Sequence, residues 1–257
     1  MKNQGTVSIG YCYGNQEQEF IDSKRDLQIF DRLHNGLVQN EIPVRGLYVA
    51  ENRNNMVKQF LQTKDDWLVS LDCDIDFRPE MVYALYEIAD PVTRPIVSGI
   101  YFSRLAQGHL CPVWFMETDK GKYRTVNRIE PDPGQPQAVD AIGMGFCIMH
   151  RSVFEGLLKV HGGDEWTWFG HDEAFNTDDQ KIHHLGEDLT FCRRAKKAGF
   201  SIWGHAGIQV GHVKKVALSY ELWLAEEHPE QYKKYKFDRG CIVGPAEHTN
   251  GAVVHDA

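Results

Sequence analysis

The sequence predicts an α/β protein: a three-layer α/β/α sandwich around a mainly parallel central sheet, with a small antiparallel part in its second half. Two observations carry this prediction. Four segments of the first half, "TVSIGYCYG", "VRGLYVA", "DWLVSLDCD" and "RPIVSGIYF", have the β-branched and aromatic clusters of strands. The segments between them, such as "NRNNMVKQFLQ" and "RPEMVYALYEIAD", have apolar residues at helical spacing. This alternation favours parallel strands joined by crossover helices, and such sheets bind ligands at the carboxyl ends of their strands.

After Ser103 the predicted elements become shorter. "LCPVWFME" and "KYRTV" predict a hairpin, and "AVDAIGMGFCIMHR" predicts strand-like segments on both sides of a Gly-Met-Gly. "EDLTFCRRAKKAG" predicts a helix, because acidic residues favour its N-terminus and a glycine suits its C-cap. The long loop over residues 162–183 has no clear period and is expected to be functional or mobile. We expect one domain over residues 1–239, ending in a helix over 219–239, and a loose tail over 240–257.

Composition excludes several classes of protein. The chain of 257 residues is 42% hydrophobic and 25% charged, which is ordinary for a globular protein. No apolar run approaches the ~18 residues of a membrane span, and the six scattered cysteines form no C-x-x-C pair. We therefore expect a cytoplasmic protein without a zinc ribbon.

The net charge of -8 argues against a protein that coats nucleic acid, although residues 190–240 hold ten Lys or Arg against five Asp or Glu. That segment either meets phosphates locally or is a solvated surface.

The stretch "WLVSLDCDIDFRPE", residues 67–80, runs from an apolar strand into three carboxylates at alternate positions, Asp72, Asp74 and Asp76. If the strand continues, Asp72 and Asp74 point to the same side. Two carboxylates that repel each other need a cation, and Mg²⁺ or Mn²⁺ offsets them well and usually brings substrate phosphates as further ligands. Asp76, just before "FRPE", fits a helix N-cap better.

An apolar strand followed by D-x-D resembles the metal-binding motif of nucleotide-sugar-dependent glycosyltransferases of the GT-A fold, particularly the family 2-like ones, and "LVSLDCD" matches it. With the later motifs, the resemblance covers roughly residues 5 to 215. It implies a GT-A type, Rossmann-like sandwich with a nucleotide-sugar-binding half over residues 1–103 and an acceptor-side, catalytic half over 104–218. It also implies a nucleotide-sugar donor, most often a UDP-sugar, and Mn²⁺ or Mg²⁺ as the cofactor.

A second acidic motif of this family opens a helix, and "LGEDLTFCRRAKKAGFSIW" matches it with Glu187 and Asp188. In inverting members its carboxylate is the general base, because the acceptor hydroxyl must lose a proton as it attacks. Asp188 is our first choice and Glu187 the alternative; both carboxylates could instead only favour the helix dipole. A histidine that completes the metal site commonly follows, and "GIQVGHV" offers His212 as a partner of Asp72 and Asp74.

The resemblance also implies residues that contact the two substrates. The donor side is expected to include Arg53 and Asn54 of "ENRNNMVKQFL", Asp72 and Cys73 of the D-x-D, and Tyr11 and Tyr13 after the first strand. Either tyrosine could stack on the base or pack in the core. The acceptor side is expected to include Gly143, Met144 and Gly145 of "AIGMGFCIMHRSVFE", and Trp168 and Phe169 of "DEWTWFGHDE". These loop aromatics, with Trp166, suit a lid over the acceptor or pin the loop to the body.

The acceptor stays open at this stage, and the sequence indicates no oligomeric state. Residues 143–155 in a compact chain resemble phage-encoded glycosyltransferases, some of which modify hydroxylated or hydroxymethylated bases in DNA. The basic segment and the loop aromatics would suit DNA, whereas glycans and protein side chains are the alternatives. A nucleotidyltransferase is disfavoured because the chain has no G-x-x-x-x-G-K-[ST] loop. A non-catalytic nucleotide-sugar-binding domain is disfavoured because the acidic motifs are intact.

Overall fold

The computed structural model describes residues 5–14, 16–34, 36–104, 110–118, 122–126, 129, 134–163, 166–176, 181–215, 227–238 and 241–245. The helices are α1 (Gln18–Leu33), α2 (Val49–Gln62), α3 (Pro79–Ile88), α4 (Arg151–His161), α5 (Glu187–Lys197) and α6 (Pro229–Tyr232). The strands are β1 (Val7–Cys12), β2 (Val38–Val44), β3 (Trp67–Leu71), β4 (Ile75–Asp76), β5 (Ile96–Ile100), β6 (Phe102–Arg104), β7 (Leu110–Pro112), β8 (Trp114–Glu117), β9 (Tyr123–Thr125), β10 (Gln137–Val139), β11 (Ala141–Ile142), β12 (Phe146–His150), β13 (Glu173–Asn176), β14 (Lys181–His184), β15 (Ile202–Gln209), β16 (Gly211–His212), β17 (Tyr235–Asp238) and β18 (Cys241–Pro245).

A seven-stranded sheet in the order β10-β15-β5-β12-β3-β1-β2 forms the centre of the fold. β1 is parallel to β2 and β3, and β15 is parallel to β5. The predicted hairpin is present as β8 and β9, which with β11 form a small antiparallel sheet. The predicted α/β class, with a mainly parallel sheet and a small antiparallel part, is confirmed.

The strand β12 interrupts the parallel order. It lies between β3 and β5 and is antiparallel to both. Its first residue, Phe146, pairs with Leu71 at the end of β3, and the N–H of Asp72 donates to the carbonyl of Gly145 at 2.9 Å. β12 therefore delivers the Gly-Met-Gly segment to the carboxyl end of β3.

Helices cover both faces of this sheet, as expected for strands that are buried along their whole length. Successive side chains of β12 alternate, with Phe146 and Ile148 in one hydrophobic cluster and Cys147 and Met149 in the other. One cluster includes buried side chains of α1 and α3, and the other those of α2, α4 and α5. Both faces of the sheet are thus buried beneath helices.

The end of α2 is fixed by Arg151, the first residue of α4. Its guanidinium donates to the carbonyls of Asp65, Phe60, Leu61 and Thr63 at 2.8 to 3.3 Å. The last carbonyls of a helix have no partner within the helix, and a cation there also suits the helix dipole. Arg151 therefore holds α2 against the body of the sheet, and α2 carries a central residue of the candidate site.

Several predicted elements differ in the structure. The second strand is Val38–Val44 rather than "VRGLYVA", because β2 is an edge strand and an edge tolerates Pro43. The long loop contains the β13–β14 hairpin.

The end of the chain also differs from the prediction. Residues 219–226 and 239 of the predicted helix, and residues 240 and 246–257 of the predicted tail, lie outside the described residues. The described part of the predicted helix includes α6 and the strand Tyr235–Asp238, and that of the predicted tail is its partner Cys241–Pro245. The chain forms two compact units, one of residues 1–103 and 110–213 and one of 104–109 and 214–257. In the described part of the chain, no helix is long and apolar enough to cross a membrane.

Candidate active site

The guanidinium of Arg53 lies at the centre of the candidate site. Its Nη1 donates to Glu187 at 2.9 Å and also to Asp188, and its Nη2 donates to Asp72 at 3.1 Å. The Arg53 side chain is only 4% exposed. One buried cation thus joins carboxylates from the end of β3 and from the first turn of α5. Arg53 is predicted to contact the donor nucleotide, and this stays a prediction; in the structure both Nη atoms donate to carboxylates.

Charge in this cluster is unbalanced, since one guanidinium faces three carboxylates. Burial lowers the pKa of Arg53, but Asp188, Asp72 and Glu187 outweigh it and hold that pKa well above its ordinary value. The Nε of Arg53 is buried and, within the described residues, has no hydrogen-bond partner. The cluster therefore contains more negative than positive charge and one buried N–H without a partner, so it is not a fully satisfied ion pair.

Asp188 is the carboxylate of the cluster whose pKa is raised. Its Oδ2 accepts from the backbone N–H of Met144 at 3.2 Å, and 28% of its side chain is open to solvent. Burial raises the pKa of Asp188 to about 7; Glu187 and Asp72 act in the same direction, whereas Arg53 and the Met144 N–H act against it. A carboxylate that titrates near neutral pH, with one side open, is suited to take a proton from a substrate.

The raised pKa of Asp188 predicts a pH dependence of stability for the ligand-free protein. The folded-state pKa of about 7 lies above the ordinary value of 3.8. The stabilising contribution is therefore complete below the unfolded pKa and is lost as the pH rises through about 7. Asp188→Asn resembles the protonated state at every pH. Urea unfolding at pH 5 and pH 8 should show wild type losing more stability than Asp188→Asn; parallel losses would contradict the assignment.

The two aspartates of the D-x-D have different partners. The strand β3 ends at Leu71, and the N–H of Ile75 donates to the carbonyl of Asp72 across a turn at 3.2 Å. The expectation that Asp72 and Asp74 point to the same side is therefore wrong, because that spacing rule holds only within a strand. Asp72 faces Arg53, whereas Asp74 lies 3.2 Å from His212 Nε2.

The pair of strands β4 and β16 brings Asp74 and His212 together. His212 pairs with Ile75, and the N–H of Val213 donates to the carbonyl of Asp74 at 2.7 Å. The Nδ1 of His212 is 2.8 Å from the carbonyl of Phe102. A carbonyl only accepts, so Nδ1 carries a proton, and in the neutral ring the lone pair of Nε2 then points at Asp74.

This arrangement fits a divalent cation. A carbonyl that fixes the Nδ1–H tautomer and leaves Nε2 as the ligand is the usual second shell of a metal-binding histidine. Two neighbouring ligands of an octahedral cation lie about 3 Å apart when each bond is about 2.1 Å. Within the described residues, no group of three or more His, Cys, Asp or Glu side chains is arranged so that it could hold a metal ion. Asp74 and His212 are therefore the two adjacent groups that could hold such a cation, whereas Asp72 contacts Arg53; the predicted role of Asp72 as a ligand stays a prediction.

The Gly-Met-Gly segment packs behind the carboxylates. A Cβ on Gly143 would lie next to the hydroxyl of Tyr101, and one on Gly145 would lie 2.8 Å from that hydroxyl and 2.9 Å from Asp72 Oδ2. Met144 is fully buried. These three residues let the backbone approach Tyr101 and Asp72 and give an N–H to Asp188; that they line the acceptor site stays a prediction.

Tyr101 is a residue of the site that the sequence analysis missed. It directly follows β5, its hydroxyl accepts from the Gly145 N–H at 2.9 Å, and its ring meets the His212 ring edge-on at 5.3 Å. Burial, together with Asp72 and Asp188, raises the pKa of Tyr101 well above its usual value, so the phenol keeps its proton. Its place at the carboxyl end of a predicted strand was the available signal.

The predicted donor-side residues Tyr11 and Tyr13 differ in exposure. Tyr11 packs in the core against Phe20, its hydroxyl accepts from Lys24 at 2.9 Å, and so its ring is closed to a base. Tyr13 is 49% exposed and remains a candidate for stacking on a base. Cys73 is half-buried, and its thiol donates to the carbonyl of Cys12 at the end of β1.

Asn54 fixes the loop that contains Trp168 and Phe169. Its Nδ2 donates to the carbonyl of Phe169 at 2.6 Å, and its Oδ1 accepts from the N–H groups of both aromatics at 3.2 and 3.0 Å. Trp168 and Phe169 are buried, and Phe169 stacks on Phe191 of α5. We expected Asn54 to meet the donor and the aromatics to meet the acceptor. In the structure these groups pin the loop to the body, which is the alternative that the sequence left open for the aromatics; contacts with the donor or the acceptor stay predictions.

Asp76 does not cap α3. The N-cap of α3 is Arg78, whereas Asp76 lies in β4 and accepts from the hydroxyl of Ser23 at 3.1 Å. Two residues separate Asp76 from the first helical residue, Pro79, so its carboxylate is bound to α1 instead. Asp72, Asp74 and Asp76 thus each have a different partner: Arg53, His212 and Ser23.

No protein-family model and no curated protein matches the chain, but solved structures do. A197 from STIV is 16% identical, with a TM-score of 0.51 over 82% of this chain and 86% of that one. GalNAc-T7, solved with UDP, GalNAc and Mn²⁺, is 13% identical, with a TM-score of 0.52 over 91% of this chain and 50% of that one. These likenesses show the fold: the chain has a GT-A-like fold, as the D-x-D context predicts.

Proposed function

We propose that this chain is a metal-dependent, inverting glycosyltransferase that moves a sugar from a nucleoside-diphosphate sugar to a hydroxyl group. The observation that carries this proposal is the separation of two polar sites at one edge of the sheet. Asp74 and His212 form one pair, and Asp188 lies in the Arg53 cluster. A group-transfer enzyme needs one site for the leaving group and another for the attacking group. The GT-A-like fold agrees with this function.

Asp74 and His212 would hold Mn²⁺ or Mg²⁺ together with the diphosphate of the donor. The metal would neutralise the charge that develops as the nucleoside diphosphate leaves. Tyr13 offers an exposed ring to the base, and Cys73 lies between the two aspartates. GalNAc-T7 was solved with UDP and Mn²⁺, which supports a UDP-sugar as the donor.

Asp188 would act as the general base on the opposite side of the reacting carbon. The acceptor oxygen forms a bond to the anomeric carbon, the bond from that carbon to the phosphate oxygen breaks, and the acceptor proton passes to Asp188. Arg53 and the Met144 N–H hold the carboxylate in place without occupying every lone pair of its oxygens. Glu187 is the alternative base, since it touches the same guanidinium.

A donor-hydrolysis screen tests the proposal. UDP-, GDP-, dTDP- and CMP-sugars are incubated with the protein, with Mn²⁺, Mg²⁺ or EDTA, and release of nucleotide is measured. Metal-dependent release of a nucleoside diphosphate from one of them is expected. A second arm adds hydroxymethylated DNA or a neutral oligosaccharide as the acceptor. If no donor is hydrolysed and none is bound, the proposal is overturned. A parallel reaction with a nucleoside triphosphate and a sugar phosphate that releases pyrophosphate would assign a nucleotidyltransferase.

His212→Ala should raise the Mn²⁺ concentration needed for half-maximal UDP binding by about 10-fold or more, because one of the two proposed protein ligands is lost. Calorimetric titration with UDP over a range of Mn²⁺ concentrations measures the effect. His161→Ala is the matched control, since this exposed histidine ends α4. Equal Mn²⁺ dependence of the two variants would remove His212 from the site.

A further inference from the structure

A second cleft lies along the outer side of α2. It has a volume of about 550 Å³ and is lined by Tyr48, Glu51, Asn55, Lys58, Trp166 and His171. The first four are spaced three or four residues apart, so they form one stripe from the N-cap of α2 to its third turn. Trp166 and His171 face this stripe from the loop before β13.

This cleft is distinct from the Arg53 cluster. At 100° per residue, Arg53 lies roughly 180° around α2 from the middle of the stripe. The carboxylates and the stripe therefore lie on opposite sides of one helix, and no residue of the Arg53 cluster lines the cleft.

The chemistry of the lining favours a carbohydrate. Tyr48 is 68% exposed and Trp166 is 40% exposed, and large aromatic rings at a cleft present apolar faces with negative potential. The C–H groups of a sugar ring are weakly positive and pack on such faces. Glu51, Asn55 and His171 add planar hydrogen-bonding groups that suit hydroxyls, and the volume lies in the range of small-molecule sites.

The charge of the lining argues against a nucleic acid. Among the described residues that line the cleft, Lys58 is the one lysine or arginine, and the negative charge of Glu51 balances it, whereas phosphate-bearing chains are bound by clusters of basic residues. A neutral, polyhydroxylated ligand matches this balance better.

Hydrogen bonds fix this cleft relative to the catalytic helices. Asn54, next to Arg53, holds the backbone at Trp168 and Phe169, as described above. From α5, Arg194 donates to the carbonyls of Trp166 and Thr167 at 2.5 and 3.1 Å and to Asp172 at 2.8 Å. The loop is thus held by the two helices that carry Arg53 and Asp188.

We infer that this cleft binds a neutral saccharide and holds part of a glycan acceptor. The second half of this inference rests on the proposed function. Rigid attachment to the catalytic helices suits a subsite, because transfer requires the attacking hydroxyl to be held in one orientation.

The test uses a panel of neutral oligosaccharides (gluco-, manno-, galacto- and chito-series), with binding measured on a glycan array and by calorimetry. At least one series should bind the wild-type protein. Trp166→Ala and Asn55→Ala should each weaken that binding about 10-fold or more, while metal-dependent donor hydrolysis stays unchanged. Leu33→Ala, on an exposed apolar residue of α1, is the matched control and should bind as wild type does.

Other outcomes overturn the inference. Absence of saccharide binding, or binding that Trp166→Ala leaves unchanged, removes the saccharide site. Binding of hydroxymethylated DNA that Trp166→Ala abolishes assigns the cleft to a nucleic acid instead. Donor hydrolysis without saccharide binding would refute the saccharide site and leave the proposed sugar transfer standing. Trp166-dependent saccharide binding without donor hydrolysis would support the cleft as a sugar site and refute the transfer.

Discussion

Asp188→Asn is expected to lower the rate of sugar transfer by about 10²–10⁴-fold, the usual contribution of a general base. The amide cannot accept the proton of the attacking hydroxyl. Its carbonyl oxygen can still accept from the Met144 N–H, so the local backbone should stay in place. The loss should therefore appear in kcat, while the affinity for the donor changes little. Single-turnover transfer and calorimetric donor binding measure the two quantities separately.

Glu187→Gln is the control for that experiment, because Glu187 is the neighbouring residue and contacts the same guanidinium. Its loss of transfer should be under about 10-fold, since it is not expected to take the proton. A larger loss for Glu187→Gln than for Asp188→Asn would move the base to Glu187. Full transfer by Asp188→Asn would show that Asp188 is not the general base.

Arg53→Met is expected to lower the free energy of unfolding by about 3–5 kcal/mol, as is typical when one partner of a buried ionic group is removed. The replacement leaves Asp72, Glu187 and Asp188 together without their cation. Protonation relieves this repulsion, so the loss should be larger at pH 8 than at pH 5. Urea unfolding at both values measures it.

Arg53→Lys separates charge from shape in this cluster. A lysine keeps the positive charge but has a single ammonium, which cannot reach both sides as the two Nη atoms do. Its stability should lie between those of wild type and Arg53→Met, and its turnover should be low because Asp188 loses its fixed position. An unfolding free energy of Arg53→Met equal to that of wild type would show that the guanidinium is not needed to hold the carboxylates.

The sequence predicted the edge of the sheet where the polar groups gather, but not their partners. The apolar run of β3 and the helical period of α5 are local signals, and they placed Asp72, Asp74, Glu187 and Asp188 near strand or helix ends. The contact between Arg53 and Asp188 joins residues far apart along the chain. Spacing cannot indicate such a contact, because it depends on how α2 and α5 pack.

Two differences between expectation and structure have identifiable physical causes. The D-x-D was treated as a continuing strand, but β3 ends before Asp72, so the period of two no longer applies. Trp168 and Phe169 lie in a loop rich in polar residues. Aromatic residues in such a loop are compatible both with a lid over a binding site and with a loop held against the protein body. The amide of Asn54 decides between these alternatives, and its partners are more than a hundred residues away.

The position of β12 has a consequence for synthesis on the ribosome. β3 and β5 are joined only through β12, so a nascent chain that has emerged only to residue 103 has a gap in the middle of its sheet. Each flanking strand then presents unpaired backbone groups, the kind of edge that pairs with other chains. The gap closes only when residues 146–150 emerge. Those residues follow directly after Gly145, whose carbonyl accepts from the Asp72 N–H, so closing the gap also places the backbone beside Asp72.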